Sequence, residues 1–309
     1  MEELSFRAMG CEMKAVLDAD GPRARRALAQ VPGWFATWEA ALSRFPPDSE
    51  LSRLNARAGQ IVRVSEVLWE VLQAALAAAR RTGGLVTPTG LGALEAAGYD
   101  RTFAALPAAG PAAPASKEAP AGPLPAWQAV RCLAGLQAVQ VPAGVRLDFG
   151  GIAKGWAADR AARRLAAHAP ALVDAGGDIR VSGPRAGGDP WPIGAGDPRD
   201  PDRDLALLAL RGGAVATSGR DYRRWQRGGV WQHHILDPRT GHPATTDVLS
   251  ASVLAPTAVA AESAAKAVLI LGSRAGPAWL DAQPGLAGLL VLDDGQVRLS
   301  RRLPEYFWS

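Results

Sequence analysis

Residues 147–160 read LDFGGIAKGWAADR, and the fold class turns on them. An apolar run closing on Asp148, then Gly150-Gly151, then a helix opening near Lys154 predicts a strand, a tight turn and a helix in succession. Downstream, helical spacing covers residues 154–169, and β-rich runs follow at 171–173 and 179–181. A second helix is expected over 258–271, after Pro256-Thr257, with strands on either side at 251–254 and 289–292. Strands and helices mix without regular alternation, so the sequence predicts an α+β fold rather than a doubly wound parallel sheet. Upstream, residues 66–81 (EVLWEVLQAALAAARR) carry apolar positions at helical spacing, with Ser65 placed as the cap and Gly83-Gly84 as the stop. Residues 23–42 are helical in pattern but broken at Pro32-Gly33. Residues 107–126 are mostly Pro, Ala and Gly, which predicts an exposed, mobile loop inserted in a single domain spanning 1–309.

The composition is that of a globular chain able to bury a sizeable core, with 48% apolar and 21% charged residues. The net charge is +4, and the arginines are scattered rather than gathered into a stripe with interleaved aromatics. That argues against nucleic-acid binding. No apolar run approaches the ~20 residues of a membrane helix, and the N-terminus shows no signal-peptide pattern, so a cytoplasmic protein is expected. Cys11 and Cys132 have no metal-ligand or redox-motif spacing.

Chemistry concentrates in three places. In residues 147–160, backbone N–H groups of a glycine-rich turn entering a helix form an anion cradle, and Lys154 adds a point charge; equally, the glycines serve only the turn. Residues 232–244 (QHHILDPRTGHPA) hold three of the four histidines. Adjacent histidines on a strand point to opposite faces, which disfavours a shared zinc. One of these histidines as a general base or cofactor contact, with Asp237 near enough in sequence to orient it, competes with a solvated hairpin histidine. Asp237-Pro238 with Thr240-Gly241 reads as a turn. Finally, Glu262 and Lys266 stand four apart on a helix, an order that contributes roughly 0.3–0.5 kcal/mol when exposed.

These pieces assemble into a larger pattern. MGCEMKAV (9–16), LSRFPPDSELSRLNA (42–56), GGLVTPTGLGAL (83–94), LDFGGIAKGWAADR (147–160), VDAGGDIRVSG (173–183) with WPIGAGDP (191–198), VATSGRDYRRW (215–225), HHILDPRTGHPA (233–244) and AESAAKAVLILG (261–272) follow the motif order of one family. In that order the chain resembles the ApbE family of FAD:protein FMN transferases across residues 9–272. The resemblance implies a T-fold-related architecture of mixed and antiparallel sheets flanked by helices, with an FAD cleft between lobes. It also implies FAD as substrate, Mg2+ at the diphosphate, and transfer of FMN to a Thr or Ser of an acceptor protein with release of AMP. Carried over by position, Met9, Phe45, Leu85, Val86, Thr87, Asp148, Lys154 and Leu236 become cofactor contacts. Gly151, through its carbonyl, and Glu262 become metal ligands; from the residues themselves His234 is the candidate base, with Asp237 as the acid that orients it.

The chain departs from the family pattern at several of these positions. Phe45 stands where a tyrosine is usual, and Leu85-Val86-Thr87 where Ala-Phe-Asp is usual. Most consequentially, the Asp and Thr that ligate metal in the last helix are Glu262 and Lys266 here. An ammonium cannot ligate a metal and repels one at short range. The expectation is that Lys266 takes the place of Mg2+ at the FAD diphosphate. Two further readings follow from that departure, a non-catalytic FAD carrier and an FAD pyrophosphatase.

Overall fold

A computed structural model describes residues 1–106, 122–227 and 229–308. Most of the loop expected over 107–126 therefore lies outside the described residues. The chain divides into two compact units, the first formed by Met1–Thr37, Lys154–Gly219 and Thr246–Ser309 and the second by Trp38–Ala153 and Arg220–Thr245.

The first unit is built on an eight-stranded sheet. In spatial order its strands are Glu2–Ala8, Cys11–Leu17, Ala171–Ala175, Asp178–Val181, Gly213–Gly219, Val248–Ala255, Ala287–Leu292 and Val297–Leu299, and every pairing is antiparallel. Spatial order thus equals chain order, as in a meander. Helices Ala153–Leu165 and Ala258–Ala282 belong to this part of the chain. A long hairpin, Trp191–Asp197 with Asp200–Leu210, supplies Trp191, Ile193, Ala195, Leu208 and Leu210 to a core shared with Val16, Val181 and Leu289. Strict alternation of buried and exposed residues along Trp191–Asp197 is what lets one face enter that core.

Helices dominate the second unit. Glu66–Arg81 forms with the expected bounds. Ser65 Oγ accepts the Leu68 N–H at 3.2 Å, and the Glu50 carboxylate fixes Ser65 in turn. Gly83, at φ 61°, ends the helix, and the Gly84 N–H donates back to the Ala79 carbonyl at 2.7 Å. A three-stranded antiparallel sheet (Ile61–Arg63, Ala138–Gln140, Arg131–Leu133) and two hairpins complete the unit. The hairpins are Arg224–Arg227 with Val230–His233 and Leu236–Asp237 with His242–Pro243.

Two expectations need correction. The helical stretch 23–42 divides into Pro22–Leu28 and Val31–Leu42, so the break falls ahead of Pro32-Gly33. Proline in the first turn of a helix sacrifices no internal hydrogen bond, and Pro32 accordingly helps to start the second helix. Nor does a strand end at Asp148. The Leu147 N–H donates to Asn55 Oδ1 at 2.7 Å and the Asp148 N–H to the Pro88 carbonyl at 2.8 Å, so this apolar run is extended but joins no ladder. The helix expected over 258–271 does stop there. Thr257 caps it by accepting the Ala260 N–H, and Gly272 at φ 78° turns the chain before a further helical run to Ala282. No helix among the described residues is long and apolar enough to cross a membrane.

Candidate functional site

In the first unit, helix Ala153–Leu165 carries Lys154 in its first turn, and helix Ala258–Ala282 carries Glu262 and Lys266 one turn apart. The two helices approach at Gly155, where an added Cβ would lie 2.8 Å from the Ala258 carbonyl oxygen and 2.9 Å from Glu262 Oε2. The Gly155 N–H donates to Glu262 Oε2 at 3.0 Å. Glu262 Oε1 accepts from Lys266 Nζ at 3.0 Å and lies 3.7 Å from Lys154 Nζ. Lys154 in turn pairs with Asp178, which opens strand Asp178–Val181 after the Gly176-Gly177 turn. Asp159, on the same helix as Lys154, accepts the Ala258 and Val259 N–H groups at 2.9 and 3.2 Å and so fixes the entry of the second helix.

Charge regulation in this cluster follows from burial and proximity. Burial, then the Glu262 charge, pushes Asp178 up to about 6 against the pull of Lys154. Burial would also raise Glu262, but Lys266 and then Lys154 outweigh it and hold that carboxyl below its ordinary value. Burial would discharge Lys154; the carboxylates of Asp178 and Glu262 overrule it and keep the ammonium charged. Met9 sits in the turn joining strands Glu2–Ala8 and Cys11–Leu17. It adopts φ 49° next to Gly10 at φ 71°, the paired positive φ of a tight two-residue hairpin loop.

In the second unit the organising group is Arg44. Its guanidinium is 2.9 Å from Asp148 Oδ2, donates to the Tyr99 carbonyl at 2.8 Å, and lies 4.4 and 4.6 Å from the ring centroids of Phe45 and Tyr99. Asp148 Oδ1 also accepts the Gly150 N–H at 2.9 Å, which shapes the turn that contains Gly151. Tyr99 packs on Trp225, whose Nε1 donates to the Ala97 carbonyl at 2.8 Å, and Leu236 lies against the same apolar cluster. Leu85, Val86 and Thr87 follow helix Glu66–Arg81; the Val86 N–H bonds to Thr82 Oγ1 and the Thr87 hydroxyl to that of Thr89. His234 Nδ1 is 3.4 Å from the Arg223 carbonyl oxygen. Asp237 ends in the expected turn, with Thr240 and Gly241 N–H groups on its carbonyl, and its carboxylate is held by Arg239 at 2.7 Å.

The structure therefore gathers Lys154, Glu262 and Lys266 into one cluster and joins Phe45 to Asp148 through Arg44. Asp237 is engaged by Arg239. Residues that sequence reading passed over are Asp178, Asp159, Arg44, Tyr99 and Trp225. Asp178 carried a local signal, an acid directly after Gly176-Gly177 at the start of an apolar strand, which is an unlikely place for a solvated carboxylate. Arg44 carried none, because its partner Asp148 is remote in sequence.

Comparison with known proteins places this geometry. A family model described as the ApbE family matches residues 9–290. Over 305 residues the chain is 36% identical to the FAD:protein FMN transferase of Treponema pallidum (strain Nichols), covering 94% of this chain and 83% of that protein. It is 28% identical over 300 residues to the FAD:protein FMN transferase of Salmonella typhimurium, covering 91% and 81%. The crystal structure of the ApbE protein from Thermotoga maritima matches with a TM-score of 0.86 at 30% identity, over 100% of this chain and 99% of that one. A family match across residues 9–290, together with a 36% identical relative spanning nearly the whole chain, shows that this chain belongs to the ApbE family.

Proposed function

We propose that this chain is an FAD:protein FMN transferase, which binds FAD and moves its FMN half onto a Thr or Ser hydroxyl of an acceptor protein, releasing AMP. The observation that carries the reading is the extent of kinship with proteins of that name, 94% of the chain at 36% identity. In the reaction the acceptor oxygen bonds to the FMN phosphorus while the bond from that phosphorus to the AMP oxygen breaks. The hydroxyl proton passes to a base and AMP leaves with the bonding pair. His234 is our candidate for that base, with Asp237 fixing the turn that follows it. Phe45 is 37% exposed and its ring is our candidate to stack on the isoalloxazine, while Leu85, Val86, Thr87 and Leu236 offer apolar and hydroxyl contacts to FAD. Lys154 is assigned to the diphosphate and Met9 to the flavin.

Incubating the chain with FAD and an acceptor protein labelled by the Salmonella typhimurium relative tests this. AMP release together with flavin fluorescence on the denatured acceptor is the expected result. AMP without labelling would replace the reading with an FAD pyrophosphatase, and bound FAD without AMP would replace it with a flavin carrier.

A further inference from the structure

Lys154, Asp178, Glu262 and Lys266 share one buried spot, and they do not share it evenly. The Asp178 and Glu262 side chains are 2% and 1% exposed, whereas those of Lys154 and Lys266 are 16% and 15% exposed. The two acids are the enclosed members of the cluster and the two lysine side chains its partly exposed ones. A magnesium ion demands an octahedron of oxygen ligands at about 2.1 Å. Here one oxygen of Glu262 is taken by the Gly155 N–H, and the other lies between Lys266 at 3.0 Å and Lys154 at 3.7 Å. An ammonium has no lone pair to give, and at such range it repels a dication. These residues do not fit the Mg2+ that the family implies.

They do fit an anion. Each ammonium carries three N–H donors, and two ammoniums cannot use all of them on the acids. Four formal charges cancel within the cluster, and its two lysine side chains are the members that keep some access to solvent. Buried ion pairs contribute weakly at best to stability, so stability alone does not account for a cluster whose cations stay partly exposed.

We propose that Lys154 and Lys266 form a metal-free diphosphate clamp, in which the Lys266 ammonium supplies the charge neutralisation that a divalent cation would otherwise provide. The inference rests on the reading of this chain as an FAD-handling enzyme. Glu262 is then a positioning residue: it holds both ammoniums and is itself held by the Gly155 N–H. Lys154 and Lys266 donate to the anionic oxygens of the FAD diphosphate. As the bond to AMP breaks, the two ammoniums stabilise the charge that builds on the departing phosphate oxygen.

The test is an FAD titration of the full chain, followed by flavin fluorescence, in EDTA and in excess Mg2+. The clamp predicts the same affinity in both buffers. It predicts that Lys266→Met weakens FAD binding about tenfold or more without rescue by Mg2+, while Lys266→Arg keeps most of the affinity. Mn2+ titration followed by electron paramagnetic resonance should show no tightly bound ion in the wild-type chain with FAD. Wild-type affinity that collapses in EDTA and returns with Mg2+ would overturn the clamp and leave the transferase reading intact. A bound Mn2+ that Mg2+ displaces, or a folded Lys266→Met chain that binds FAD as tightly as wild type, would overturn it too. Failure to bind FAD in either buffer would remove the transferase reading and the clamp with it. The wild-type comparison needs no variant to fold.

Discussion

Replacing Gly155 by alanine adds one methyl group where two opposed effects meet. Helix propensity alone favours the change by about 1 kcal/mol, since Gly155 lies within helix Ala153–Leu165. Packing opposes it. The new Cβ would stand 2.8 Å from the Ala258 carbonyl oxygen, 2.9 Å from its carbon and 2.9 Å from Glu262 Oε2. None of these atoms is free to step aside. Asp159 pins the Ala258 and Val259 N–H groups, and Glu262 is held by Lys266. Overpacking a tight contact costs about 1–3 kcal/mol, and a clash with pinned backbone belongs at the upper end. The net expectation is a loss of about 2 kcal/mol, equivalent to a fall in Tm of about 4–8 °C. Urea unfolding followed by tryptophan fluorescence measures the loss, and FAD titration of the folded variant should show weaker binding because Glu262 is displaced. A Gly155→Ala chain as stable as wild type, or more stable, would refute the close-approach argument, because propensity would then have won.

Three further outcomes are expected. Arg44→Met strips the cation from Asp148, whose side chain is only 15% exposed, and should cost about 3 kcal/mol in denaturant unfolding; Arg44→Lys should lose less, since it keeps the charge but not the stacking on Phe45 and Tyr99. Burial holds His233 below its ordinary pKa, with Arg220 adding to that effect against the Ala244 carbonyl, so the folded chain takes up this proton less readily than the unfolded chain. Stability should therefore fall as pH drops through about 6.5, and His233→Gln should flatten the dependence of Tm on pH over that range. His234→Ala should lower the rate of FMN transfer by about 10²–10⁴-fold while FAD affinity changes little; an unchanged rate at saturating FAD would remove His234 as the base.

What the sequence disclosed tracks how local each determinant is. Helix Glu66–Arg81 was legible to the residue because its cap, apolar spacing and glycine stop all lie within the segment. The turn at Asp237 was legible for the same reason. The run ending at Asp148 misled because an extended apolar stretch looks alike whether its partner is a strand or, as here, the amide of Asn55 and the carbonyl of Pro88. The break near Pro32 was misplaced because proline both ends one helix and begins another. The clamp is the opposite of local. Glu262 and Lys266 read as a helix-surface pair, and only the fold brings Lys154 and Asp178 to them and buries both acids. Motif order alone reached FAD and the transferase chemistry.

The most direct test of the account is the mass of the acceptor. Intact mass spectrometry of an acceptor protein after incubation with this chain and FAD should show a gain of one FMN per chain, matched one for one by AMP in solution. Both signals should vanish when the acceptor Thr or Ser is replaced by Val or Ala. AMP that accumulates without any gain in acceptor mass, or an acceptor left unmodified while FAD remains intact, would contradict the account.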